Sequence, residues 1–117
     1  MIYTLEISCF VEYNKLYKER DVFMITIVAK CILKEGKKQE FIELNKELVR
    51  CSQNEKGCIA YDLYQDLNNE NMVSYIENWE DEKAIELHNN SQHFLKWVPI
   101  LNELKTEPTI VNLYKII

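Results

Sequence analysis

Apolar and polar positions along the chain follow two alternating rhythms. In residues 25–33 (ITIVAKCIL), Ile25, Ile27, Ala29, Cys31 and Leu33 fall on one side of an extended chain, with Val28 and Ile32 on the other. Apolar residues on both sides predict a strand covered on both faces. Gly36 marks the turn that follows, in residues 34–37. From 37 to about 51 the spacing changes. Phe41, Leu44, Leu48 and Cys51 recur at helical intervals, flanked by Ile42 and Val49, which predicts an amphipathic helix. Residues 53–57 end it. Strands are expected at 58–65 and 72–80, joined by an Asn- and Asp-rich turn at 66–71, an antiparallel hairpin. Asp81 is placed to cap a helix running to about His88. Ser91 is placed to cap a short helix carrying Phe94, Leu95 and Val98. Pro99 would break a longer helix, so it is assigned to the first turn of a continuation to Leu104. Residues 109–117 read as the last strand. The order β-α-β-β-α-β is the split βαβ of an α+β, ferredoxin-like domain with an antiparallel sheet.

Residues 1–23 stand outside that order. Tyr3, Leu5, Ile7, Cys9 and Val11 alternate as in a strand, while Tyr3, Ile7 and Phe10 also share a helical face. Met24 is a plausible start in its own right. The chain is therefore divided into an N-terminal extension, 1–23, possessing an extra strand or arising from an upstream start, and a domain, 24–117.

At 117 residues, with no internal repeat and few glycines and prolines, one core is expected. The net charge of −5 argues against a general nucleic-acid binder. Lysines interleave with glutamates in 34–50, as on a solvated helix face. No apolar run reaches the ~18 residues that span a bilayer, and no basic-then-apolar start signals secretion. Cys9, Cys31, Cys51 and Cys58 form no C-x-x-C pair; Cys9, Cys31 and Cys58 have apolar neighbours. Reduced thiols and a cytoplasmic location are expected. The helices suffice for one face of the sheet, so a second subunit is the natural cover for the other.

Residues 72–94 concentrate the groups capable of chemistry, including both histidines of the chain. Val73, Tyr75, Glu77 and Trp79 share one side of their strand, and Asn78 lies on the other. Trp79 fits either a core or interface position, its indole N–H on a backbone carbonyl, or a pocket wall. Glu77 in an apolar strand needs a partner, in the chain or across a dimer, or a raised pKa, which would also suit a general base. Asn78 fits an exposed amide or a donor to a substrate oxyanion. His88 fits a helix-end hydrogen bond or a general base. His93 and Phe94 follow on the next turn as candidate lining residues. The two histidines are five apart, not at the i, i+4 spacing of metalloproteases, and no metal is expected. No Gly-rich loop is present to cradle a nucleotide.

Four stretches carry a likeness to a known family. They are Lys34-Glu35-Gly36-Lys37 before Phe41; Glu55-Lys56-Gly57-Cys58 with Tyr61 and Leu63; Tyr75, Glu77, Trp79 and Asp81; and His88 with Ser91, His93 and Phe94. On these, residues 24–117 resemble the antibiotic biosynthesis monooxygenase (ABM) superfamily of dimeric α+β-barrel proteins, with its quinol monooxygenase-like members. The resemblance implies a homodimer with sheets face to face and a small apolar pocket between each sheet and its helices. It implies oxidation of a small aromatic, quinol-like molecule by dioxygen with no cofactor. On this reading His88 abstracts a proton, Asn78 and Trp79 orient the substrate, and Tyr75, Glu77, His93 and Phe94 bind it. Haem-degrading members carry tryptophan at the position of His88 and a histidine about ten residues later, near Val98 here, so haem is not implied. Other members are isomerases. For that chemistry His88 and Glu77 would shuttle protons, with Lys96 the nearby cation for a phosphate. A binding or stress-response module that has lost activity is the third reading.

Overall fold

The computed structural model describes residues 23–117; of the extension expected at 1–23, residues 1–22 lie outside the described residues. In order, the chain forms β1 (Ile25–Ile32), α1 (Lys38–Gln53), β2 (Cys58–Gln65), β3 (Met72–Trp79), α2 (Glu82–Asn89), α3 (Gln92–Asn102) and β4 (Ile110–Tyr114). The four strands make one open sheet, ordered β2-β3-β1-β4, with every neighbouring pair antiparallel. β1 and β2 are thus parallel to each other with β3 between them, the split βαβ arrangement that the pattern predicts.

Alternation sets which side chains meet the helices. On β1, Ile25, Ile27, Ala29 and Cys31 are buried, and Thr26, Val28, Lys30 and Ile32 are half-buried on the far face. The expectation of cover on both sides of β1 is met on one side only within the chain. Phe41 and Leu48 from α1, Ile85 from α2 and Leu101 from α3 close the core against Val73 and Trp79. Each such fully buried side chain contributes ~1.5–3 kcal/mol. The hairpin turn is built by Asp66, whose Oδ1 accepts from the backbone N–H groups of Asn68 (2.7 Å) and Asn69 (2.9 Å).

Both expected helix caps form. Asp81 accepts from Ala84 N at 2.9 Å, and Ser91 Oγ accepts from Phe94 N at 3.2 Å. The assignment of Pro99 needs correction. α3 runs unbroken from Gln92 to Asn102 with Pro99 inside it. Only the hydrogen bond to the Leu95 carbonyl is forfeited, and Leu95 lies on the solvent side, 61% exposed, where water can serve that carbonyl. Cys31 is buried, while Cys51 and Cys58 are half-buried, and all three are free thiols. Burial, followed by the carboxylates of Glu55, Glu77 and Asp62, pushes the Cys58 thiol up to about 11. Among the described residues no helix is long and apolar enough to cross a membrane.

Candidate functional site

The covered face of β3 supplies the floor of the site. Trp79 is fully buried, and its indole Nε1–H donates to Glu77 Oε1 at 2.9 Å. Its partner is thus a side chain two residues away rather than the expected backbone carbonyl. Burial raises the Glu77 carboxyl above its ordinary range, opposed by the nearby His88 and by the Trp79 hydrogen bond. Its Oε2 is buried with no hydrogen-bond partner. Tyr75, also buried, donates its hydroxyl to Asn45 Oδ1, while Asn45 Nδ2 donates to the Phe41 carbonyl at 2.7 Å. Desolvation pushes the Tyr75 phenol well above its usual value.

His88 enters from the last turn of α2 and is 1% exposed. Aromatic groups surround its ring: Trp79 at 4.7 Å between centroids, Phe94 edge-on at 5.1 Å, Tyr61 at 5.3 Å and His93 at 6.0 Å. Its Nδ1 lies 2.7 Å from Glu55 Oε2, and its Nε2 is buried without a hydrogen-bond partner. The other oxygen of Glu55 lies 2.9 Å from His93 Nε2, although the ring direction does not make a hydrogen bond of that contact. One carboxylate thus engages both histidines.

Glu55 is a candidate site residue that the sequence alone does not single out, standing there only within the family match. It sits in the turn between α1 and β2, where Glu55 N donates to Ser52 O and Cys58 N donates to Glu55 O, both at 3.1 Å. Gly57 adopts φ +87°, and a Cβ there would lie 2.6 Å from Ala84 Cβ on α2. That close approach presses the turn onto α2 and sets Glu55 against His88.

Other expected residues lie elsewhere. Asn78 is on the far face of β3, where its Oδ1 accepts from Thr26 Oγ1 at 2.6 Å. Strand alternation separates it from Trp79 and His88, so one small ligand held between the sheet and helices of this chain does not touch all three. Lys96 is on the outside of α3, 3.2 Å from Glu47 and over the Trp97 ring, and does not serve the interior as expected. Lys105 does. It donates to Thr109 Oγ1 at 2.6 Å and Asn102 Oδ1 at 2.8 Å, and burial holds its ammonium below the usual lysine value. With Tyr61, Tyr75, Glu77, Phe94 and Leu101 it lines a cavity of ≈ 20 Å³ between sheet and helices, room for about one water. A larger open groove of ≈ 430 Å³ separates α1 from the edge strand β2, and none of the expected site residues lines it.

An open antiparallel sheet with three helices on one face, enclosing a histidine–carboxylate pair among aromatic rings, defines a ferredoxin-like α+β protein with a candidate site between sheet and helices. Residues 24–99 match antibiotic biosynthesis monooxygenase, and the chain belongs to that family. It is 35% identical over 85 residues to Putative monooxygenase YcnE of Bacillus subtilis, covering 73% of this chain and 90% of that protein. It is 30% identical over 92 residues to Uncharacterized protein sll1783 of Synechocystis, covering 79% of this chain but 63% of that protein's length. The crystal structure of a conserved protein from Methanosarcina mazei superimposes with a TM-score of 0.77 at 38% identity, covering 80% of this chain and 92% of the other.

Proposed function

We propose that this protein is a cofactor-independent monooxygenase that acts as a homodimer on a small aromatic, quinol-like substrate with dioxygen. Family membership supports the reaction class. The observation that carries the reading is the pair of buried, unpartnered atoms His88 Nε2 and Glu77 Oε2. With its Nδ1–H donated to Glu55, the His88 imidazole keeps a lone pair on Nε2. A phenolic hydroxyl brought to that atom gives up its proton, and Glu55 stabilises the resulting imidazolium. Burial favours the protonated form of Glu77, and in that form its carboxyl donates a hydrogen bond to the substrate oxygen. Tyr61, Trp79 and Phe94 offer ring faces and edges for an aromatic substrate. The electron-rich anion then reduces dioxygen. One oxygen atom enters the product and the other leaves as water, with all four electrons supplied by the quinol. The cavity beside Glu77 holds only about one water, so a quinol is admitted only if the space between sheet and helices widens.

Oxygen uptake by the chelator-treated protein with a panel of reduced naphthoquinols, with product masses, tests the reading. We expect uptake above autoxidation, addition of one oxygen atom, and a loss on the order of 10²-fold or more in His88→Ala. Uptake equal in His88→Ala and wild type would sink it. One observation favours an isomerase as the second reading: Lys105, a cation, lines the cavity beside Glu77. A phosphorylated carbonyl substrate turned over without oxygen, and lost in Lys105→Ala, would select that chemistry instead.

A further inference from the structure

The two histidines are wrongly spaced for a metal pair on one helix, but the fold adds a third donor from a distant turn. Glu55, His88 and His93 come from three different elements, and one ligand atom from each lies within 4.8 Å of the other two. We propose that these three residues form a site for one divalent transition-metal ion of the zinc class, leaving one coordination position to solvent.

The donor set is two imidazole nitrogens and one carboxylate oxygen, which suits zinc and its borderline neighbours rather than calcium or magnesium, whose sites are built from oxygen. Tetrahedral zinc, with bonds of about 2.0–2.2 Å, holds its donors about 3.3 Å apart. Here the Glu55 oxygens lie 2.7 Å from His88 Nδ1 and 2.9 Å from His93 Nε2. These are different oxygens, each slightly nearer its nitrogen than an ion's donor spacing, and small side-chain rotations would bring one of them to that spacing from both nitrogens. The existing contacts also leave His93 unsatisfied: its Nε2 is buried, close to a carboxylate, and makes no hydrogen bond. An ion would satisfy that nitrogen. His88 is held rigidly between Trp79 and Phe94, while the side chains of Glu55 and His93 are 17% and 16% exposed, which gives the ion an access route.

The site does not depend on the oxygenase reading, although the two share His88. An ion on Nδ1 confines the ring proton to Nε2 and removes the lone pair required of a base. A metal-bound chain would accordingly bind zinc at the expense of general-base chemistry.

The full chain, stripped with chelator, should be titrated with Zn²⁺ by calorimetry and with Co²⁺ as a spectroscopic probe. We expect one ion per chain, visible d–d absorption of a four-coordinate Co²⁺ site, and a rise in Tm with Zn²⁺. His93→Gln and Glu55→Gln should each weaken binding by more than the ~10–100-fold typical of lost outer-sphere partners. Their circular dichroism and metal-free melts establish that the variants fold. Absence of stoichiometric binding, undiminished affinity in a folded His93→Gln, or a thiolate-to-cobalt charge-transfer band marking the cysteines as ligands would each overturn the proposal. Since every readout is binding or stability, failure of oxygen uptake leaves the result intact.

Discussion

Glu77 reaches the interior through strand period alone, standing between Tyr75 and Trp79 on the covered side of β3. Its ordinary value is 4.5, and burial raises it in the folded chain. Below 4.5 the carboxyl is protonated in both states, and the fold keeps the full benefit of a neutral buried group. As pH rises past 4.5 the unfolded chain ionises first, so that contribution is progressively lost until the folded pKa is reached. Glu77→Gln, which still offers an oxygen to the Trp79 indole, removes this dependence. Urea denaturation between about pH 4 and pH 8 should show the variant gaining on wild type as pH rises. A difference that stays constant over that range would mean that Glu77 ionises as easily in the fold as in the unfolded chain. Glu77, Trp79 and His88 were legible as site candidates because residue type, strand phase and helix position are local properties. Glu55 was not, because its contact with His88 spans 33 residues and is created by how a turn docks on a helix. Gly57 was the available signal: a glycine just before a strand marks a turn of fixed geometry, and hence a nearby side chain of fixed direction.

Turns and helix ends decide how those residues meet. Gly36 and Gly57 both have positive φ, +76° and +87°, but their surroundings differ. A Cβ at Gly36 meets nothing within 4 Å, whereas at Gly57 it meets Ala84 Cβ at 2.6 Å. Gly36→Ala should therefore carry backbone strain alone, about 1–3 kcal/mol, and Gly57→Ala should cost more. Because the clash is with one methyl group, Ala84→Gly should recover part of the Gly57→Ala loss in a double-mutant cycle by chemical denaturation. Strict additivity of the two substitutions would show that the turn does not press on α2 as described. The elements themselves were largely visible from periodicity, with both caps at the expected residues. That the helix runs through Pro99 is not visible locally, because proline's cost depends on burial of the carbonyl it orphans, and the exposure of Leu95 is a property of the assembled fold rather than of local sequence.

At the scale of the molecule, the sheet presents two unlike faces. Helices cover the side of Ile27, Tyr75 and Trp79. The other side displays Val28, Ile32, Met72 and Ile76 in the two central strands, with Tyr64 and Tyr114 exposed on the edge strands. Three strands of eight residues and one of five spread a face of roughly 25 by 19 Å at its widest, somewhat over half of the ~800 Å² that each partner contributes to a standard interface. Polar groups on it are not a barrier to burial where they are already paired, as Thr26 and Asn78 are. That pairing gives Asn78 a place in the proposed subunit contact rather than at His88. Val28 and Ile76 face each other across β1 and β3 near the centre of this surface, so a charge there would be buried without a partner. We predict a dimer by sedimentation at micromolar concentration and a folded monomer for Ile76→Lys, with the His88 surroundings on the opposite face unchanged. A monomeric wild type, or an Ile76→Lys dimer of wild-type affinity, would move the subunit contact off this face.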